Sequence, residues 1–137
     1  MNAISLGVIS IIDDDESVRT STRALLRSAG FEVESFSSAE DFLESGAISE
    51  TACLILDIQM PVFGGLELQR RLKAAKLAVP IIFITAVDDE ANRRTAIDAG
   101  AANFFCKPFS GDALLAAIQS ALDGPLGGRV VGKRGLP

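Results

Sequence analysis

Five short apolar runs recur along this chain, at 8–12, 31–36, 52–56, 81–84 and 103–106, and each is followed by a segment with helical spacing. Runs of this length are too brief for helices with a buried stripe. Three of them, at 8–12, 52–56 and 81–84, are rich in Val, Ile and Leu rather than strictly alternating with charged residues, which is the pattern of a parallel strand covered on both faces. The run at 31–36 instead mixes Phe and Val with Glu32, Glu34 and Ser35, as a half-exposed edge strand does. Strand followed by helix five times over predicts a three-layer, doubly wound (βα)5 sheet with right-handed crossovers and helices on both faces.

The intervening segments carry their own punctuation. From Ser17, the residues Val18, Thr22, Leu25, Leu26 and Ala29 share one helical face and Arg19, Arg23 and Arg27 another, until Gly30 ends the helix. Ser38 with Asp41 resembles a capping box and opens a short helix that runs through Phe42 to Gly46. Leu66, Leu68, Gln69 and Leu72 lead into Arg70, Arg71, Lys73 and Lys76, a basic cluster suited to the negative end of a helix dipole. Asp88 and Asp89 start a helix closed by Gly100, and Ser110 with Asp112 starts a last one striped by Leu114, Ala117, Ile118, Ala121 and Leu122. Residues 1–123 therefore read as one domain, and 124–137, rich in Gly, Pro and basic residues, as a flexible tail or truncated linker.

Composition removes several kinds of chemistry. A net charge of -5 argues against direct nucleic-acid binding through a basic surface. No Lys or Arg precedes Arg19, and Ser5, Gly7 and Ser10 interrupt the first apolar stretch, so neither a signal peptide nor a membrane span is expected and the protein reads as cytoplasmic. Cys53 and Cys106 sit in strand-like surroundings as small core hydrophobes, without metal-ligand or CxxC spacing. Histidine is absent, which excludes a Ser-His-Asp triad, a histidine-ligated zinc and an internal phosphohistidine.

What remains is written at the strand ends. The first strand delivers Asp13, Asp14, Asp15 and Glu16; the third ends at Asp57 before Ile58, Gln59, Met60 and Pro61; the fourth ends in Thr85 and the fifth in Lys107. Asp15 or Glu16 is accounted for by capping of the next helix, but Asp13 and Asp14 are not. Taken alone, Asp57 reads equally well as a solvated strand terminus. In an open parallel sheet, however, these carboxyl ends lie side by side, where ligands bind. Clustered carboxylates raise one another's pKa and call for a cation. A hard divalent ion fits, with Asp14 and Asp57 as direct ligands and Asp13 acting through water. Lys107 adds a point charge, so the cleft can hold a phosphoryl group between metal and ammonium. Asp57 is then either a metal ligand only or a nucleophile that takes up the phosphoryl group.

The elements Ile11-Ile12-Asp13-Asp14-Asp15, Leu54-Ile55-Leu56-Asp57-Ile58-Gln59-Met60-Pro61, Ile84-Thr85-Ala86 and Lys107-Pro108-Phe109, in that order, resemble a response-regulator receiver (CheY-like) domain of two-component signalling. The resemblance implies a flavodoxin-like fold with strand order 2-1-3-4-5, an order for which a receiver is itself a standard illustration. It implies Asp57 as phosphoacceptor for a sensor histidine kinase, and Mg2+, with Mn2+ as substitute, held by Asp13, Asp14, Asp57 and the backbone carbonyl of Gln59. Thr85 becomes the hydroxyl switch and Lys107 the phosphate-sensing lysine. Phe104, three residues before the lysine, becomes an aromatic that moves inward as Thr85 shifts, without a hydroxyl to anchor its outward position. The Lys107-Pro108 bond is expected to be cis.

Ser17-Val18-Arg19 and Phe36-Ser37-Ser38-Ala39-Glu40-Asp41-Phe42-Leu43 are most similar to FixJ/NarL-like receivers, which precede a helix-turn-helix output domain and pair on phosphorylation through the fourth helix and fifth strand. Two rivals stand beside this reading. A phosphatase of the haloacid dehalogenase type would use a strand-terminal Asp with Mg2+, but its second acid, two residues on, is here Gln59. A degenerate receiver acting as a phosphate-independent interaction module would not need the intact set of Asp13, Asp14, Asp57, Thr85 and Lys107.

Overall fold

All five expected strands form and pair in parallel. A computed structural model describes residues 7–124, with β1 (Val8–Ile12), β2 (Val33–Phe36), β3 (Thr51–Asp57), β4 (Ile81–Thr85) and β5 (Asn103–Cys106) in the order β2-β1-β3-β4-β5. Between and after them run α1 (Glu16–Ser28), α2 (Ala39–Ser45), α3 (Gly65–Ala74), α4 (Glu90–Asp98) and α5 (Gly111–Asp123). The tail expected at 124–137 lies outside the described residues except for Gly124, which is the C-cap of α5.

Side-chain alternation along the strands divides the core into two layers. On one face Ile12, Leu54, Leu56, Ile81 and Phe83 pack with Phe42 of α2, Leu68 and Leu72 of α3 and Ala96 of α4. On the other, Ile9, Ile11, Ile55, Ile82 and Ile84 pack with Leu26 of α1 and Leu114 and Ile118 of α5. Strand β3 is buried along its whole length and is hydrogen-bonded to β1 on one side and β4 on the other. Its last residue, Asp57, thus hangs from the longest fully buried strand among the described residues. Among the described residues no helix is long and apolar enough to cross a membrane.

Three differences from the sequence reading have local causes. The edge strand starts at Val33 rather than Phe31, because the N–H groups of Gly30 and Phe31 are spent closing α1 onto the carbonyls of Arg27 and Leu26. The same closure leaves Ala29 exposed as the C-cap instead of on the buried face. A 3-10 turn, Ala47–Glu50, precedes β3, and Thr51 joins that strand because its buried hydroxyl donates to the carbonyl of Ala47 and shares a 2.7 Å hydrogen bond with Ser10 Oγ. Cys106 is only half-buried, whereas Cys53 is fully enclosed and burial pushes its thiol up to about 12.

Helices α1, α3 and α4 end in the same paired-carbonyl cap. The residue after the cap is Gly30 at φ 94° in α1 and Gly100 at φ 101° in α4, but in α3 it is Lys76 at φ 60°. Lys76 N–H donates to Lys73 and Leu77 N–H to Leu72, so Lys76 stands beyond the helix and not in the last turn's basic cluster. A side chain at left-handed φ is disfavoured by about 1 kcal/mol relative to glycine. Lys76→Gly is accordingly expected to stabilise the fold by up to about 1 kcal/mol, read as a higher urea midpoint at unchanged slope; a lower midpoint would contradict the cap assignment.

Candidate functional site

The acidic loop after β1 separates into a structural acid and two site acids. Asp15 is the N-cap of α1: its Oδ1 accepts from Ser17 N–H at 2.9 Å, Ser17 Oγ at 2.8 Å and Val18 N–H at 3.4 Å. The Ser17 hydroxyl, followed by the two amides, holds its carboxyl below the ordinary range. Asp13 turns inward with no exposed surface; its Oδ1 accepts from Asp15 N–H at 2.9 Å and its Oδ2 lies 3.0 Å from Lys107 Nζ. Asp14, between them, faces solvent. Arg19, one turn into α1, donates from Nη1 to the Asp13 carbonyl at 2.7 Å and so clamps the loop from below.

Register brings the second acid alongside. Ile12 pairs with Leu56, so Asp13 and Asp57 each stand one residue past a paired position. Asp57 is 4% exposed; its Oδ1 accepts from Gln59 N–H at 3.2 Å, and its Oδ2 is 3.9 Å from Lys107 Nζ. Carboxylate oxygens of Asp13, Asp14 and Asp57 all lie within 4.8 Å of one another. Burial, and then the charge of Asp13, push the Asp57 carboxyl up to about 7, and the opposing pull of Lys107 and the Gln59 amide does not offset them. One lysine is therefore too little cation for these acids. The donors are all hard oxygens on three residues with no His or Cys among them, the ligand chemistry of a small divalent ion.

The loop after Asp57 is folded back tightly over the strand end. Gly65 N–H donates to the Ile58 carbonyl at 3.0 Å, and a Cβ on Gly65 would strike the Asp57 carbonyl. Phe63 N–H donates to Pro61 O at 2.7 Å across Val62, which is fully exposed at φ 67° in a γ-turn. Phe63 itself is buried beneath the Arg71 guanidinium, 4.3 Å from its ring centre, which fastens the loop to α3.

On the other side, Thr85 is buried at the end of β4. Its hydroxyl accepts from Val87 N–H at 3.2 Å and makes no hydrogen bond to the carboxylates. Its carbonyl accepts from Lys107 N–H at 2.7 Å, which carries the β4–β5 pairing one residue further and sets the lysine at the mouth of the site. The Lys107-Pro108 bond is cis, as the resemblance implied. Phe104 is already inside, 4% exposed, with its ring centre 6.4 Å from that of Phe83 while Thr85 is still bonded to Val87. The Gln59 side chain is exposed and takes no part in the cluster.

Asp13, Asp14, Asp57 and Lys107 are thus brought together, with Thr85 on the adjoining strand end and Phe104 beneath. The sequence reading missed Arg19 and Arg93, whose guanidinium lies 4.6 Å over the Phe104 ring. Arg19 carried a faint signal, being a cation one turn after an acidic run. Arg93 carried none.

Comparison with known proteins places this arrangement. The model of the response regulator receiver domain matches residues 9–119. The response regulator protein TodT of Pseudomonas putida is 48% identical over 115 residues, covering 84% of this chain and 51% of TodT. The transcriptional regulatory protein FixJ of Bradyrhizobium diazoefficiens is 40% identical over 116 residues, covering 85% of this chain and 57% of FixJ. The chain spans about half the length of the curated relatives it matches. Among solved structures, FixJ-N superposes with a TM-score of 0.80 at 33% identity, covering 96% of this chain and 100% of that one, and the response regulator StyR with 0.77 at 47% identity, covering 83% and 58%.

Proposed function

Because this chain belongs to the response regulator receiver domain family of two-component signalling, we propose that it is a regulatory phosphoacceptor in which Asp57 takes a phosphoryl group from a sensor histidine kinase. The observation that carries this reading is the enclosed Asp57 carboxylate, 3.9 Å from Lys107 and clustered with Asp13 and Asp14 at the open end of the sheet. A carboxylate oxygen of Asp57 attacks phosphorus in line, the bond from phosphorus to the donor's imidazole nitrogen breaks, and the nitrogen leaves with the electron pair. Lys107 then neutralises phosphoryl charge, and the Thr85 hydroxyl leaves Val87 N–H to donate to a phosphoryl oxygen. Asp13, Asp14, Asp57 and the Gln59 backbone carbonyl would hold Mg2+, or Mn2+ in its place, which when bound supplies the remaining charge neutralisation. Arg19 keeps the Asp13 carbonyl, and with it the acidic loop, in place for that role.

Residues 1–123 form the receiver in this reading, and the relatives' greater length supports an output domain on a longer protein. The regulated event is a change at the face of α4 and β5, where Phe104 reports on Thr85, with pairing of two receivers through that face as one outcome. The acidic balance supports protein partners over direct contact with nucleic acid.

The test is incubation with phosphoramidate and Mg2+ followed by intact-mass measurement. One phosphoryl group, added stably and lost slowly by self-hydrolysis, is the expected result. Multiple turnover of the donor without an adduct would favour an aspartate-nucleophile phosphatase, and no uptake would favour a phosphate-independent interaction module.

A further inference from the structure

Resting on the reading of Thr85 and Phe104 as the switch pair, we propose that Arg93 is a positioning residue for the phosphoryl site, holding the Phe104 ring inward and tying that position to the loop that follows Thr85. The Arg93 guanidinium carbon lies 4.6 Å from the centre of the Phe104 ring, which is otherwise packed on Phe83. An Arg93 nitrogen lies 4.0 Å from Asp88 Oδ1. Asp88 directly follows Val87, whose N–H is the present partner of the Thr85 hydroxyl. A short physical path therefore runs from hydroxyl to amide, across one peptide link to a carboxylate, on to a guanidinium and down to the aromatic face. Phe83 and Thr85 are two apart on β4 and share a sheet face, and Phe83 pairs in register with Phe104, so ring and hydroxyl lie on the same side of the sheet.

Phenylalanine has no polar atom to fasten an outward position, so what holds its position here is burial plus the cation. The Asp88 side chain is largely exposed and adds little stability by itself. Its part is to restrain a long, otherwise mobile arginine over the ring. When the Thr85 hydroxyl turns toward a phosphoryl oxygen it releases the Val87 amide, and Asp88 moves with that loop. Arg93 thereby couples the loop to the ring, and whatever favours the inward ring favours, by linkage, the state in which Thr85 engages the phosphoryl group. A partly exposed cation over an aromatic ring is worth about two- to fivefold in such an equilibrium.

The experiment compares the full chain with Arg93→Met, which keeps length and apolar bulk but removes the cation, and with Arg93→Lys. Two quantities are read: the rate of phosphoryl uptake from phosphoramidate with Mg2+, and the 19F resonance of fluorophenylalanine at position 104, assigned with Phe104→Leu. Arg93→Met is expected to lower the uptake rate about two- to fivefold and to move the Phe104 resonance toward its solvent-exposed value, with partial recovery of both in Arg93→Lys. A parental rate and an unmoved resonance in Arg93→Met would overturn the proposal while leaving the Asp57 reading intact. Failure of the parent to take up phosphoryl would overturn both.

Discussion

Asp57→Asn is expected to abolish phosphoryl uptake and, with divalent ions chelated, to make the folded protein more stable than the parent at pH 8. The two effects have one origin. Burial and the adjoining charge of Asp13 raise the Asp57 carboxyl to about 7, against an ordinary value of 3.8. Between those values the folded chain keeps a proton that the unfolded chain has released, so raising the pH favours unfolding. The penalty is absent below about pH 4 and complete above about pH 7, within which window stability falls as pH rises. Asparagine removes the charge, can still accept from the Gln59 amide, and leaves Lys107 paired with Asp13 at 3.0 Å. The gain at pH 8 should be on the order of 1–2 kcal/mol after solvent screening and should vanish near pH 4. Added Mg2+ should reverse the order by stabilising the parent and not the variant. Urea denaturation at the two pH values, with chelator and then with Mg2+, reads all of this. A variant less stable than the parent at pH 8 without metal would refute the electrostatic account, and undiminished labelling would refute Asp57 as the acceptor.

Gly65→Ala is expected to be the most damaging single methyl group that can be added at a glycine of the site. Its Cβ would fall on the Asp57 carbonyl oxygen and within 3.1 Å of the Asp57 carbonyl carbon and Ile58 Cα. Those atoms belong to the last residue of β3 and the one after it, and β3 is hemmed in by two strands, so relief must come from lifting α3, with Leu68 and Leu72, out of its core packing. A loss of roughly 3 kcal/mol follows from overpacking against backbone. Gly111→Ala is the control: its added Cβ meets only the Leu25 side chain, at 3.2 Å, and a leucine can turn aside. The urea midpoint of Gly65→Ala should therefore fall well below that of Gly111→Ala, whose change should be within about 1 kcal/mol. Equal midpoints would show that the loop over Asp57 yields more easily than its hydrogen bonds suggest.

The parts of this molecule that could be read in advance are those determined by what immediately follows an apolar run. Asp13, Asp57, Thr85 and Lys107 each end or follow a strand, and once the strands are parallel their assembly at one edge needs no further information. Strand order was different: periodicity says which residues are buried but not which strand is next to which, and 2-1-3-4-5 came from family resemblance before the pairing of β1 with both β2 and β3 bore it out. Side-chain direction was the least accessible. Nothing in a run of letters tells that Arg19 bends back to a carbonyl six residues earlier, that Arg93 lies on Phe104, or that the hydroxyl of Thr51 reaches Ser10. These contacts depend on rotamers selected by packing across elements. The displaced start of β2 had a local cause, since Gly30 was visible as a stop but the amide of the next residue, also committed to the cap, was not.

Helix α4 is held very differently at its two ends. At the C-terminal end Ala96 is buried, its carbonyl accepts from the enclosed amide of Gln69 on α3 at 3.1 Å, and Gly100 and Ala101 close the last turn. At the N-terminal end the anchors are the Asp89 cap and one arginine resting on a ring. A displacement of the loop after Thr85 would therefore be taken up by the first turn of the helix, while the distal turn stays pinned to its neighbour.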